Sequence, residues 1–346
     1  MSGKVFIPNN ELTSALERIS REMDVWIPVA PRGNKEGIHF SKYRPGELPE
    51  LGRQSTTPPK KALFPQAERL FEFYYRKDVA NPSQATIDLK APEKAPSALV
   101  FGTRPCDVRG FFTFDQVYLN NRYKDPYYAR RREKAVFATL VCETPDSACF
   151  CSSVGGGPDD QEGSDLWMTP IEGGHVVEAI NGRGLELLDK LGQEATHTQT
   201  TAAQRIQEAA ATRQVGQETL MDKARAFEER FSDRQYWQEM VSKCISCGIC
   251  TYVCPTCYCF TISDEIKNLQ GERLRSWDSC MFYHYTLEAS GHNPRPGKFE
   301  RYRNRVGHKF SYFPDQYDGM LSCCGCGRCI RSCPVSIDIR QIVRRL

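Results

Sequence analysis

The stretch Cys244-Ile245-Ser246-Cys247-Gly248-Ile249-Cys250-Thr251-Tyr252-Val253-Cys254-Pro255 has a counterpart in Cys323-Cys324-Gly325-Cys326-Gly327-Arg328-Cys329-Ile330-Arg331-Ser332-Cys333-Pro334. Both runs keep the C-x₂-C-x₂-C-x₃-C-P spacing of a [4Fe–4S] ligand set. Three closely spaced thiolates on a tightly turned loop can wrap one corner of a cubane cluster. The fourth cysteine follows at a turn that its proline keeps from folding back. In two-cluster proteins this fourth cysteine ligates the other cluster. The spacing therefore predicts Cys244, Cys247, Cys250 and Cys333 around one cluster, and Cys323, Cys326, Cys329 and Cys254 around a second. Zinc is the competing reading, because C-x-x-C pairs also bind it. Zinc sites, however, use two pairs across a spacer rather than two complete runs. Cross-ligation holds two clusters close together, which suits stepwise electron transfer.

The rest of the composition fits that reading. The chain has 346 residues, room for two or three domains, and 40% of them are hydrophobic. A net charge of +3 gives no argument for nucleic acid. Sixteen cysteines are many, and they fall in two groups, between residues 106 and 151 and between 244 and 333. A disulfide framework belongs to short secreted chains. The sequence opens MSGKVFIPNNEL without an apolar signal segment, and no run approaches the ~18 apolar residues of a membrane span. A reducing cytoplasm, with cysteines as metal ligands, is the expected setting.

Upstream, a helix is expected from Asn9 to Arg21, with strands at Val25–Val29 and Phe71–Tyr75. Residues 41–60 are polar and proline-bearing and read as a surface connection. Ala98–Gly102 and Ala135–Val141 flank helical sequence, a βαβ pattern that predicts parallel strands. Cys106 and Cys142 then share the carboxyl edge of one sheet, where open α/β sheets put ligands. Leu166–Ile171 and His175–Ile180 read as a hairpin, and Gly184–Arg230 as largely helical. Leu269–Leu274 and Phe282–Ser290 read as helix-like. The expected fold is α+β. An N-terminal α/β domain with a partly parallel sheet covers 1–183, a helical connector 184–235, and an α-helical ferredoxin-like two-cluster domain 236–346.

Eight cysteines remain outside the two ligand sets. Cys106, Cys142, Cys149 and Cys151 are candidates for a third [4Fe–4S] cluster or, alternatively, buried small hydrophobes. Cys257, Cys259 and Cys280 could surround a further site or pack as thiols around the first cluster. Cys324, next to a ligand, is expected to point away. Lys243, Arg328 and Arg331 sit in or beside the runs, where positive charge would raise the cluster potentials. Arg295, Lys298, Arg301, Arg303, Arg305 and Lys309 oppose one acid, Glu300. That segment reads as a solvated face or as a docking surface for an acidic partner; a nucleic-acid role lacks any recognised module. No G-x-G-x-x-G, P-loop or H-E-x-x-H motif is present. No catalytic residue is predicted, and nicotinamide chemistry is expected on another chain.

Several strings resemble one family in order along the chain. They are Arg104-Pro105-Cys106-Asp107, Asp125-Pro126-Tyr127-Tyr128 with Arg130-Arg131-Arg132-Glu133, Cys149-Phe150-Cys151, Cys254-Pro255-Thr256-Cys257-Tyr258-Cys259-Phe260, Trp277-Asp278-Ser279-Cys280 and Cys326-Gly327-Arg328-Cys329. The family comprises dicluster iron–sulfur subunits similar to those of anaerobic sulfite reductases, the beta subunit of soluble sulfhydrogenases, and the iron–sulfur subunit of heterodisulfide-reductase-associated flavin oxidoreductases. The resemblance runs from about residue 70 to the end. It implies an electron-transfer subunit between a catalytic subunit and a flavin- and NAD(P)-binding subunit, which would hold the FAD. It also implies recurrence of Cys106, Cys142, Cys149, Cys151, Cys257, Cys259 and Cys280. A catalytic reductase using the last three thiols on a disulfide or sulfur substrate is the alternative.

Overall fold

The computed structural model describes residues 3–31, 37–81, 83–92, 95–214 and 217–346. In chain order the strands are β1 (Lys4–Pro8), β2 (Asp24–Val29), β3 (His39–Lys42), β4 (Ala67–Arg76), β5 (Thr86–Lys90), β6 (Ala98–Thr103), β7 (Ala135–Leu140), β8 (Leu166–Ile171), β9 (Gly174–Ala179), β10 (Gln193–Glu194), β11 (Phe260–Lys267) and β12 (Gln270–Trp277). They form an eight-stranded sheet, β10-β1-β9-β8-β7-β6-β2-β3, and a four-stranded sheet, β11-β12-β4-β5.

The centre of the larger sheet, β2-β6-β7-β8, is parallel, and its edges are antiparallel. Every residue of β6 and β7 is buried, as expected of parallel strands covered on both faces. Leu99, Phe101, Val136 and Ala138 pack with Leu12, Leu16 and Ile19 of the helix Leu12–Ser20 and with Leu187, Leu188 and Leu191 of the helix Gly182–Leu191. Val100 and Phe137 face the other way, onto Val108, Phe111 and Phe114 of the helix Pro105–Tyr118. This is the expected βαβ unit, and β8 and β9 form the expected hairpin.

Three local readings are corrected. Leu269–Leu274 is not helical: the turn at Asn268 (φ +59°) reverses the chain and β12 follows. Pairing with β4 on one side and β11 on the other overrides the helix propensity of Glu272, Arg273 and Leu274. Phe282–Ser290 holds only a short 3₁₀ turn at Tyr283–Thr286. The part that follows the first run is thus not all helical, and its ribbon β11-β12 extends the sheet begun by β4 and β5. Buried Arg275 fastens the ribbon through ion pairs to Glu68 and Asp125. Finally, the connection at 41–60 dips inside. Ser55 and Lys60 are buried, and Lys60 Nζ donates to the carbonyls of Thr251 (3.2 Å) and Cys257 (3.0 Å).

A second core gathers around the cysteine runs. Phe227, Trp237, Val306, Phe310, Ile339 and Val343 pack there with Phe150, which arrives from the N-terminal part. The helix Lys298–Gly307 continues through a π turn, His308–Tyr312, into Phe313–Gln316. Among the described residues no helix is long and apolar enough to cross a membrane.

Candidate metal centre

The two runs fold alike. Each loop ends at a glycine in the left-handed region, Gly248 (φ +76°) or Gly327 (φ +73°), followed by a one-turn helix, Ile249–Tyr252 or Arg328–Arg331. The left-handed glycine reverses the chain, so the cysteines on either side of it face one space. The two short helices pack against each other. That packing carries the end of each run to the start of the other.

Two small enclosed cavities result. Cys244, Cys247, Cys250 and Cys333 line the first, with Met281 and Tyr302. Cys323, Cys326, Cys329 and Cys254 line the second, with Phe150, Arg305 and Lys309. Cys329 borders both. Backbone amides point at two of these sulfurs: Ser246 N–H donates to Cys244 Sγ (3.4 Å) and Ile337 N–H to Cys333 Sγ (3.3 Å). Among the described residues, no three Cys, His, Asp or Glu side chains are close enough to grip a single metal ion. A lone zinc needs its sulfurs all about 2.3 Å from one centre, so the geometry disfavours it. Cys324 does not point away as expected. It is 2% exposed and lines the second cavity, because Gly325 (φ +64°) turns the loop back over it.

Cations enclose the second cavity. Arg305 and Lys309 are both 2% exposed, and neither has a carboxylate partner among the described residues. Lys309 Nζ donates to Thr256 Oγ1 (2.7 Å) and the Ser322 carbonyl (2.8 Å) and approaches Cys254 Sγ (3.5 Å). Burial opposes charge on both side chains. The sulfurs beside them, Cys254 and Cys257 at Lys309 and Cys250 and Cys257 at Arg305, act the other way, and both cations stay above their ordinary pKa. Buried cations without carboxylates call for a bound anionic group. An iron–sulfur cluster held by thiolates fits that requirement and this donor set.

A 4Fe-4S dicluster domain model matches residues 243–337. Sulfhydrogenase 2 subunit beta of Pyrococcus furiosus is 32% identical over 247 residues, which cover 69% of this chain and 71% of that protein. The chain belongs to the dicluster [4Fe–4S] electron-transfer subunits. No solved structure matches it.

In this dicluster subunit the basic segment 295–309 is not a solvated face. Arg301, Arg305 and Lys309 recur every four residues and turn inward. Arg301 Nε donates to the Met281 carbonyl (2.9 Å), and Lys298 Nζ to those of Ser242 (2.6 Å) and Cys244 (3.1 Å), so these residues strap down the first run. Of the cations singled out beside the runs, Lys243 is exposed. Arg331 pairs with Asp146, and buried Arg328 pairs with Asp107 (2.7 Å).

Asp107 also shows what the Arg-Pro-Cys-Asp string does. It accepts from Arg104 N–H (3.0 Å) at the start of the helix Pro105–Tyr118 and holds Arg328 of the second run. Arg104 Nη1 donates to the Val141 carbonyl (2.9 Å), tying the ends of β6 and β7 together. Cys106 and Cys142 therefore flank the carboxyl edge of the parallel sheet. The loop with Cys149 and Cys151 docks on the second run, where Phe150 N–H donates to the Gly325 carbonyl (2.8 Å). Cys149 Sγ lies 3.9 Å from the Cys326 carbonyl, and Gln54 joins Cys106 Sγ (3.1 Å) to Arg331 of the second run, while Cys151 Sγ donates to Gln214 (3.1 Å). Burial raises the Cys149 thiol to about 11 and the Cys151 thiol to about 12. Cys257, Cys259 and Cys280 line a different cavity, which shares Arg305 and Lys309 with that of the second run.

Proposed function

We propose that this chain passes single electrons between a catalytic subunit of hydrogenase, heterodisulfide reductase or sulfite reductase type and a flavin- and NAD(P)-binding subunit. The observation that carries the reading is the pair of adjacent thiol-lined cavities: Cys244, Cys247 and Cys250 line the first with Cys333 of the other run, Cys323, Cys324 and Cys326 line the second with Cys254 of the other run, and Cys329 borders both. In this reading Cys244, Cys247, Cys250 and Cys333 hold one [4Fe–4S] cluster, and Cys323, Cys326, Cys329 and Cys254 hold the second. Cys106, Cys142, Cys149 and Cys151 hold a third. Such clusters supply one-electron storage at potentials tuned by charge and hydrogen bonds. The chain's own residues keep them close, give the first site backbone N–H donors and enclose the second beside Arg305 and Lys309. FAD and NAD(P) belong to the partner, and a cytoplasmic setting is part of the same proposal.

Anaerobic co-purification of the full chain with its neighbours tests this. The clusters should bleach on adding NAD(P)H only when a flavin-containing partner is present. Direct reduction of a disulfide or sulfur substrate by the isolated chain with an artificial donor would instead support the catalytic reading.

A further inference from the structure

Cys257, Cys259 and Cys280 border neither run-lined cavity. They line a third one, about 420 Å³ and open on one side, whose walls include Arg305, His308 and Lys309. The ribbon β11-β12 assembles them. Cys259 precedes β11, Cys280 follows β12, and the ribbon's ends are paired through Phe260 and Trp277. Asp278 N–H donates to the Cys259 carbonyl (2.9 Å), closing the base of the ribbon. Cys257 is brought to the same wall by Lys60, which holds its carbonyl at 3.0 Å.

The polar groups facing these thiols are incomplete. Arg305 Nη1 donates to Cys257 Sγ (3.4 Å), but its Nε and Nη2 have no partner. Arg328, equally buried, has Asp107; Arg305 has no carboxylate among the described residues. A guanidinium left that way is costly unless an anion accepts its free N–H groups. Three thiols around an open space, with no grouping for a single ion among the described residues, suit a multinuclear group. A simple dithiol pair would leave the third cysteine and the orphaned N–H groups unexplained.

We propose that Cys257, Cys259 and Cys280 bind an additional [4Fe–4S] cluster through three thiolates, beside Arg305 and Lys309, which its cavity shares with that of the second run. No fourth cysteine lines this cavity among the described residues. The fourth position therefore falls to a non-cysteine ligand, either solvent or a small anion drawn in by Arg305 and Lys309. The inference extends the electron-transfer reading, and it holds whether or not the N-terminal four cysteines bind iron.

The test uses the full-length chain, loaded anaerobically, with iron and acid-labile sulfide counted beside EPR spectra. Cys259→Ser combined with Cys280→Ser should hold about four iron atoms fewer per chain than the wild type, while the EPR signals abolished by Cys247→Ser and by Cys326→Ser persist. Unchanged iron in a folded double variant would overturn the proposal. Should the double variant not fold, the wild-type chain decides: added cyanide should alter the EPR signal of one cluster only, and an unaltered spectrum would overturn the proposal. Failure of the chain to accept electrons from a flavin partner, with the iron loss intact, would count against the proposed function and not against this site.

Discussion

The two cysteine runs share spacing, loop shape and a left-handed glycine, yet they live in different surroundings. The first lies near the surface: Cys247 is exposed and Ile245 is 62% exposed. The second is enclosed by Phe150, Arg305, Lys309 and the Asp107–Arg328 ion pair, and its Cys326 is 8% exposed. Spacing thus dictates the loop, while exposure and charge, which set a cluster's potential, come from elements far away in sequence. In the electron path proposed above, the exposed first run is the side that meets a partner and the enclosed second run the side that relays onward.

Substitutions at the cysteines should separate the two runs most strongly. Cys326→Ser should lose its cluster's iron and much of the chain's thermal stability, because the N-terminal loop docks on that run. Cys247→Ser should lose a cluster while the chain stays folded, as iron content and circular dichroism would report. Equal destabilisation by the two would erase the distinction between inner and outer sites.

Asp107→Asn should come next. It leaves Arg328 buried without its counter-charge, at a cost of about 3–5 kcal/mol measured by denaturant unfolding. The glycines should follow. A Cβ at Gly327 would stand 2.7 Å from the Ala148 backbone, whereas one at Gly248 would meet the Phe282 ring, which can yield. Gly327→Ala should therefore destabilise by about 3 kcal/mol and Gly248→Ala by about 1–2 kcal/mol. Lys309→Met should lower the potential of the second-run cluster by on the order of 60 mV, a tenfold shift for one electron, and leave the first nearly unchanged in an EPR-monitored titration. The smallest effect belongs to Ile245→Asp. Folding and iron content should be unaltered, with only the rate of electron exchange with a partner reduced.

Much of this was legible in the sequence, for reasons that can be named. The continuous apolar runs of β6 and β7 announced a parallel pair, the doubled cysteine spacing pointed to [4Fe–4S] chemistry, and strings such as Arg104-Pro105-Cys106-Asp107 and Cys149-Phe150-Cys151 carried the family resemblance. The strand β12 was missed because Leu269–Leu274 is rich in helix formers, and only its partners β4 and β11 make it extended. The inward turn of Arg301, Arg305 and Lys309 carried a signal, the four-residue spacing of one helix face, but basic residues so spaced usually face solvent. Cys324 was misread because the turn at Gly325 depends on Phe150, more than a hundred residues away.

The most direct test of the account is which cluster depends on Cys333. Cys333→Ser, Cys247→Ser and Cys326→Ser should be compared by EPR on anaerobically loaded protein. Cross-ligation predicts that Cys333→Ser alters the same signal as Cys247→Ser and spares the one lost in Cys326→Ser. If Cys333→Ser instead alters the signal that Cys326→Ser abolishes, each run keeps its own cluster, and the shared architecture described here is wrong.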